Sequence, residues 1–177
     1  MIIEKVVQKR EHLSGGSIKA VEDVKSAAAQ ATIANLIDSM RYYNLVGMAA
    51  PQIGQPLRVF VIEVRETIYR KDLNLKAGLL VFINPKIVAH SDEENIDYEG
   101  CGSVDSSGVF GSVKRWNKVT IEALDKEGVR FEYEAEGFLA RVIQHEYDHL
   151  DGILFIDKID DPKTMIDKEE YLKRFKN

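Results

Sequence analysis

The spacing of apolar residues changes several times along the chain, and each change predicts an element. Val24, Ala27, Ala28, Ala31, Ala34, Ile37 and Met40 recur three or four apart, which predicts an amphipathic helix over residues 24–43. Asn44 is its natural stop. Residues 58–64 are rich in β-branched and aromatic side chains and predict a strand. Residues 79–88 predict a second strand region, interrupted at Asn84-Pro85, and the polar stretch 66–76 between them reads as a loop. Residues 119–124 and 129–133 flank Asp125-Lys126-Glu127-Gly128, the pattern of a hairpin. A helix is expected from Gly137 to Asp151-Gly152, with Gly152 as the left-handed residue after the last turn. Residues 152–156 read as a short apolar strand. Asp161-Pro162 supplies an N-cap and a first-turn proline for a C-terminal helix over about 162–175, with Met165, Leu172 and Phe175 as its apolar stripe.

Strand-rich segments with a few separate helices, and no regular β-α alternation, favour an α+β fold over a doubly wound one. Mixed or antiparallel sheets are expected around a central helix near the C-terminus. Phe138, Leu139, Val142, Ile143 and Leu150 give that helix apolar surface on more than one side. A length of 177 residues is most simply one domain, 1–177.

Composition narrows the partners. The net charge of −5 gives no global reason to expect nucleic acid or an anionic membrane. No apolar run is long enough to span a bilayer. The start Met1-Ile2-Ile3-Glu4-Lys5 lacks the pattern of a secretory signal, so a cytoplasmic location is expected. The basic end Lys173-Arg174-Phe175-Lys176 complements a helix dipole. Cys101 is the single cysteine, so no intrachain disulfide can form, and it reads as a buried small hydrophobe, a metal ligand or a nucleophile.

The predicted helix after Gly137 carries the chain's most specific chemistry, His145-Glu146-Tyr147-Asp148-His149. Two imidazoles four residues apart lie on one helix face and can reach one metal ion, with Glu146 placed to act on a water as general base. Two histidines are too few for a catalytic site, which needs three protein ligands and an open position. His12 and His90 sit in polar runs and read as surface residues. Cys101, between Gly100 and Gly102, can approach another group closely, and a divalent ion would stabilise its thiolate.

Three segments together resemble the peptide deformylase family. Gly47-Met48-Ala49-Ala50-Pro51-Gln52-Ile53-Gly54 is similar to its first box, Glu99-Gly100-Cys101-Gly102-Ser103 to its second, and Gln144-His145-Glu146-Tyr147-Asp148-His149-Leu150 to its third. The resemblance implies a divalent metal held by Cys101, His145 and His149 with water as fourth ligand. The native ion would be iron(II), with zinc, nickel or cobalt as substitutes. It implies removal of the N-formyl group from N-formylmethionyl peptides of newly made proteins. The activated water attacks the formyl carbon, with Glu146 as general base and then acid, and with Gln52 and the Gly102 N–H as oxyanion donors. Val46 and Gly100 would pair with the substrate backbone, Gly47 would border it, and Val46, Phe138 and Val142 would receive the methionine side chain. For these last three, core packing accounts for the sequence equally well.

The chain also departs from the family pattern. Leu45 stands where the first box begins with glycine, and Gly102 follows the cysteine in place of leucine. The segment 105–116 reads as about two residues longer than usual, with Phe110 where many members carry an arginine, and the family's proline-containing start is missing. These departures leave two alternatives open: a related hydrolase acting on another N-acyl or formyl substrate, or a non-enzymatic, metal-stabilised module that binds nascent chains or the ribosome through the basic C-terminal helix. The intact Glu146 argues against the second, because a purely structural metal needs no general base.

Overall fold

The computed structural model describes residues 3, 17–65, 77–104 and 108–175. The elements are α1 (Ala27–Tyr42), β1 (Gly47–Ala49), β2 (Val59–Ile62), β3 (Leu80–His90), β4 (Glu94–Gly100), β5 (Val109–Trp116), β6 (Lys118–Leu124), β7 (Arg130–Glu136), α2 (Gly137–Leu150), β8 (Ile166–Asp167) and α3 (Lys168–Phe175). Two antiparallel sheets form, a five-stranded one in the order β1-β2-β3-β6-β7 and a three-stranded one in the order β4-β5-β8. The expected α+β class holds. His12 and the stretch 66–76 lie outside the described residues, and no described helix is long and apolar enough to cross a membrane.

The five-stranded sheet is covered on both faces, which explains the unbroken Val-Phe-Val-Ile of β2. Successive strand residues point to opposite faces. Val59 and Val61 join the cluster under α1 with Ile33, Leu36 and Met40. Phe60 and Ile62 join the cluster under α2 with Phe82, Ile121, Leu139 and Ile143. The Phe60 and Phe82 rings stack 4.7 Å apart. A strand buried on both sides must be apolar throughout rather than alternating.

Helix α1 has the expected extent but a different buried face. Ala29, Thr32, Ile33, Leu36, Ser39 and Met40 point inward, whereas Ala27, Ala28, Ala31 and Ala34 are exposed. Alanine favours a helix without bringing much apolar area, so the bulky residues decide the rotation. Asn84-Pro85 does not end β3. Asn84 takes a positive φ of 51°, and its side chain bonds both Val21 N–H (2.7 Å) and Val21 carbonyl (2.8 Å). The ladder to β6 skips from Ile83 to Lys86, accommodating the proline that has no N–H to give.

Three further corrections concern the C-terminal half. Residues 109–116, for which the sequence pattern predicts no element, form β5, whose inward positions are Gly111, Val113 and Arg115. A glycine and an arginine on the buried side hide the alternation. Residues 152–156 do not form a strand. Gly152 is left-handed as expected (φ 72°), but Phe155–Lys158 form a 3-10 turn that buries Phe155. The helix expected over 162–175 is broken. Asp161 caps only a 3-10 turn, Pro162–Thr164. Ile166 and Asp167 then pair with β5, and a second cap, Asp167 Oδ1 accepting from Glu170 N–H at 2.8 Å, opens α3. Met165 therefore lies outside the helix.

The rotated face of α1 gives a direct test. Leu36→Ala is expected to cost about 2–5 kcal/mol, while Ala31→Gln stays within about 0.5 kcal/mol. Urea unfolding of the two variants checks this, and equal losses would contradict the assigned face.

Candidate active site

Helix α2 is pinned along its whole length, and this fixes His145, Glu146 and His149. Its first residue, Gly137, donates to the Asn117 carbonyl at 2.8 Å. In the middle, Gln144 accepts from Trp116 N–H (3.2 Å) and donates to the Trp116 carbonyl (2.9 Å). At the end, Arg58 donates to the Leu150 carbonyl (3.2 Å) and to Asp151 (2.8 Å), placing a cation at the negative pole of the helix. The His145 and His149 rings lie 4.8 Å apart, nearly perpendicular.

Cys101 follows the last residue of β4 and brings Sγ to 3.3 Å from His149 Nε2. The donor atoms of Cys101, His145 and His149 all lie within 4.8 Å of one another. Ser103 N–H (3.4 Å) and Gln52 Nε2 (3.6 Å) also point at the sulfur. Burial would raise the thiol's pKa, but the neighbouring imidazoles of His149 and His145 outweigh it and hold the group well below its ordinary value. One thiolate and two imidazoles suit a late first-row divalent ion, and the 3.3 Å sulfur–nitrogen separation is close to the roughly 3.5 Å edge of a tetrahedral site. The residues therefore fit a metal.

The orientation of His145 is set by Glu99. Glu99 Oε2 accepts from His145 Nδ1 at 2.9 Å, which leaves Nε2 for the ligand position. Arg115 Nε and Nη2 reach the two Glu99 oxygens at 2.9 Å each, and Arg141 Nη1 reaches Oε1 at 2.7 Å. Arg115 also pairs with Asp148. Burial would raise the Glu99 carboxyl's pKa, but Arg115 and His145 hold it well below the usual carboxylate range. Burial lowers the pKa of His145, but Cys101 and Glu99 more than reverse this and hold the ring above its ordinary value.

Glu146 has the opposite setting. It is 4% exposed, and its Oε2 has no hydrogen-bond partner among the described residues. Burial pushes its pKa up to about 7 against the partial counteraction of His149 and His145, in the range a general base needs near neutral pH. Gly47 makes room for it: a Cβ there would sit 2.5 Å from Glu146 Oε1. Gln52 lies in the 3-10 turn after β1. Its Oε1 accepts from Ala49 N–H at 2.8 Å and its Nε2 donates to Ser103 Oγ at 3.2 Å.

These groups line one cavity of about 200 Å³. Val46, Gly47, Gln52, Gly100, Cys101, Gly102, Phe138, Val142, His145 and Glu146, all singled out from the sequence, border it, and His149 lies behind Cys101. A family model for polypeptide deformylase matches residues 3–165. The chain belongs to the peptide deformylase family.

Its relatives cover nearly the whole chain. The peptide deformylase of Carboxydothermus hydrogenoformans is 41% identical over 160 residues, 90% of this chain and 95% of that protein. Peptide deformylase 1 of Clostridium perfringens is 44% identical over 139 residues, 78% of this chain and 86% of that one. A class I type b peptide deformylase from Acinetobacter baumannii, solved with Met-Ala-Ser bound, superposes with a TM-score of 0.82 at 31% identity and covers 89% of this chain and 99% of its own. The chain is thus a metal-dependent deformylase acting on N-formyl peptides, and these relatives lend no support to the two alternative readings.

Sequence reasoning missed several residues that this family member uses to build its site. Glu99 was visible only as part of a box, without a role. The signal for it was His145 itself, because a ligand imidazole needs an acceptor on its other nitrogen. Asp148, like Glu99, stood in a box without a role, whereas Arg115 and Arg141 carried no signal, since each reads as an ordinary surface charge. Tyr98, Phe110 and Tyr171 also line the cavity. His90 is exposed, as expected, and stacks on Trp116.

Two outcomes are expected. Gly47→Ala forces Glu146 out of place, so turnover drops by at least about a hundredfold while metal content is kept; wild-type rates in this variant would contradict the contact. The second concerns the metal-free protein. The folded-state pKa of Glu146, about 7, lies above its unfolded value of 4.5. The native state thus binds the extra proton between these values, and stability falls as pH rises through that window, by on the order of 3 kcal/mol. Glu146→Gln removes this slope. Denaturant titrations after chelation should show the variant gaining on wild type from pH 5 to pH 8, and parallel curves would refute the burial cost.

Proposed function

We propose that residues 1–177 act as one catalytic unit in the cytoplasm that removes formate from N-formylmethionyl peptides as they are made. The observation that carries this reading is the pairing of a Cys101–His145–His149 donor set with a buried Glu146 carboxylate whose Oε2 has no hydrogen-bond partner among the described residues, at the same cavity. We assign the metal to those three side chains and its identity to iron(II), with zinc, nickel or cobalt able to replace it. Such an ion supplies Lewis acidity and lowers the pKa of water toward neutrality.

The chain's own residues do the rest. Glu146, with a pKa of about 7, takes a proton from the attacking water on its unpartnered Oε2 and returns it to the leaving amine nitrogen. Gln52 Nε2 and the Gly102 N–H donate to the oxygen of the former formyl carbonyl as it gains charge. Gln52 is suited to this because its own oxygen is tied to Ala49 N–H, which fixes its NH₂ beside Cys101. Gly47 on β1, with Val46 just before it, and Gly100 on β4 border the cavity at edge strands that can bond an extended peptide. Val46, Phe138 and Val142 offer apolar surface to the methionine. The Met-Ala-Ser complex of the Acinetobacter baumannii relative supports a peptide ligand. The proposal includes a minor contact of α3 with the ribosome, although Lys173 and Arg174 are paired with Glu169 (2.9 Å) and Glu170 (2.6 Å), which offsets their charge.

The test is formate release from formyl-Met-Ala-Ser by protein loaded anaerobically with iron(II), and in parallel with zinc. Wild type is expected to turn over in both forms, and Glu146→Ala to lose at least about a hundredfold in kcat with unchanged metal content. Absence of formate from metal-replete wild type, or an active Glu146→Ala, would overturn the assignment.

A further inference from the structure

The cavity has walls of unequal firmness. Those from β1, β4 and α2 are held from behind. Glu99 ties β4 to α2 through Arg141 and His145, Gln144 ties α2 to Trp116 of β5, and β1 belongs to the five-stranded sheet with all three residues buried. On the side of the small sheet the wall ends in Tyr171 of α3. Its ring lies flat on Phe110, with centroids 4.1 Å apart and planes within 7°. This part is fastened differently. No residue from 156 to 175 is buried. Ile166 and Asp167 pair with β5, the Ser112 N–H donates to Thr164 Oγ1 at 3.4 Å, and Arg174 bonds Tyr98. Phe175, itself 50% exposed, rests 5.0 Å from Tyr98 and 5.1 Å from Tyr171. The pairs Lys173–Glu169 and Arg174–Glu170 lie within α3. An eight-residue helix is marginal without packing, and segments with few buried contacts open far more readily than the core unfolds.

We propose that residues 166–175 form a strap that closes the cavity in the form described here and swings away as a unit to admit the peptide; this rests on the peptide-deformylating reading above. The closed cavity holds about 200 Å³, below the roughly 300–1,000 Å³ of pockets that enclose a small ligand. An extended chain bonded to β4 at Gly100 passes close to the Phe110–Tyr171 stack, because the Phe110 ring packs so tightly on Gly100 that a Cβ there would meet it at 2.7 Å. Room for the chain must come from a wall that yields. Of these elements the strap is the one without a buried residue. Cys101, His145 and Glu146 belong to the firm walls, so opening changes admission and leaves the reacting groups in place. Where only a fraction of the molecules is open, apparent affinity is reduced by that fraction. Loosening the strap therefore lowers KM and leaves kcat as it was.

Thr164 and Phe175 fasten the strap and do not line the cavity. The double variant Thr164→Val/Phe175→Ala, zinc-loaded and turning over formyl-Met-Ala-Ser, is expected to show a KM about two- to fivefold below wild type with kcat unchanged. Hydrogen exchange of the full wild-type chain, read by mass spectrometry, needs no turnover. Saturating unformylated Met-Ala-Ser, with occupancy set by calorimetry, is expected to speed exchange of the 166–175 amides about two- to fivefold, because the peptide holds the open form. An unchanged or raised KM in the double variant, or exchange in 166–175 that is slowed or unaltered by the peptide, overturns the strap. Faster exchange on peptide binding in a wild type that releases no formate counts against the deformylation reading and in favour of the strap.

Discussion

The structure depends on the buried carboxylate of Glu99. Its two oxygens collect Arg115 from β5 and Arg141 and His145 from α2, so one side chain ties the small sheet to the central helix. The carboxylate and both guanidiniums are nearly inaccessible, with Glu99 6%, Arg115 4% and Arg141 5% exposed. Removing one member of such a cluster leaves uncompensated charge in the interior, at a cost of about 3–5 kcal/mol. The cluster also sets chemistry. Cys101 is two residues beyond Glu99 on the same strand end, so the anchor that orients His145 also places the thiol facing it. One interaction thus sets both the distance between ligands and the tautomer of one of them.

Glu146 occupies the same helix and receives the contrary environment. Glu99 is wrapped in cations and stays ionised, whereas Glu146 faces the Gly47 backbone and has an oxygen without a partner. Two carboxylates lining one cavity are driven to opposite proton affinities by what surrounds them, the division of labour expected between an orienting group and a proton-transfer group. The absence of a side chain at Gly47 is what makes the second environment possible.

The helix bearing the histidines was legible because its period, its capping glycine and its motif agree. The proposed ligand set and oxyanion donors came from matching three boxes, and the structure brings residues of those boxes to one cavity. The strands β4 and β5 were illegible for a physical reason. β4, Glu-Asn-Ile-Asp-Tyr-Glu-Gly, is mostly solvent-exposed and buries Glu99, and β5 places Arg115 where a strand normally turns a hydrophobe inward. The very cluster that holds the fold together disguised its own strands as polar loop. The rotated face of α1 failed for the reverse reason: its alanines looked apolar but contributed little area.

Edges of sheets account for the remaining design. Unpaired strand edges invite other chains to add to them. β8 covers the outer edge of β5, an arrangement no local pattern in residues 162–175 announces because it depends on a strand distant in sequence. The edges of β1 and β4 carry no such cover among the described residues, and both border the catalytic cavity. Open edges beside the proposed metal-ligand set and the Glu146 carboxylate can add an extended chain between the two sheets. The same feature that would be a liability on an outer surface becomes, inside this cavity, a means of admitting a peptide terminus in one orientation.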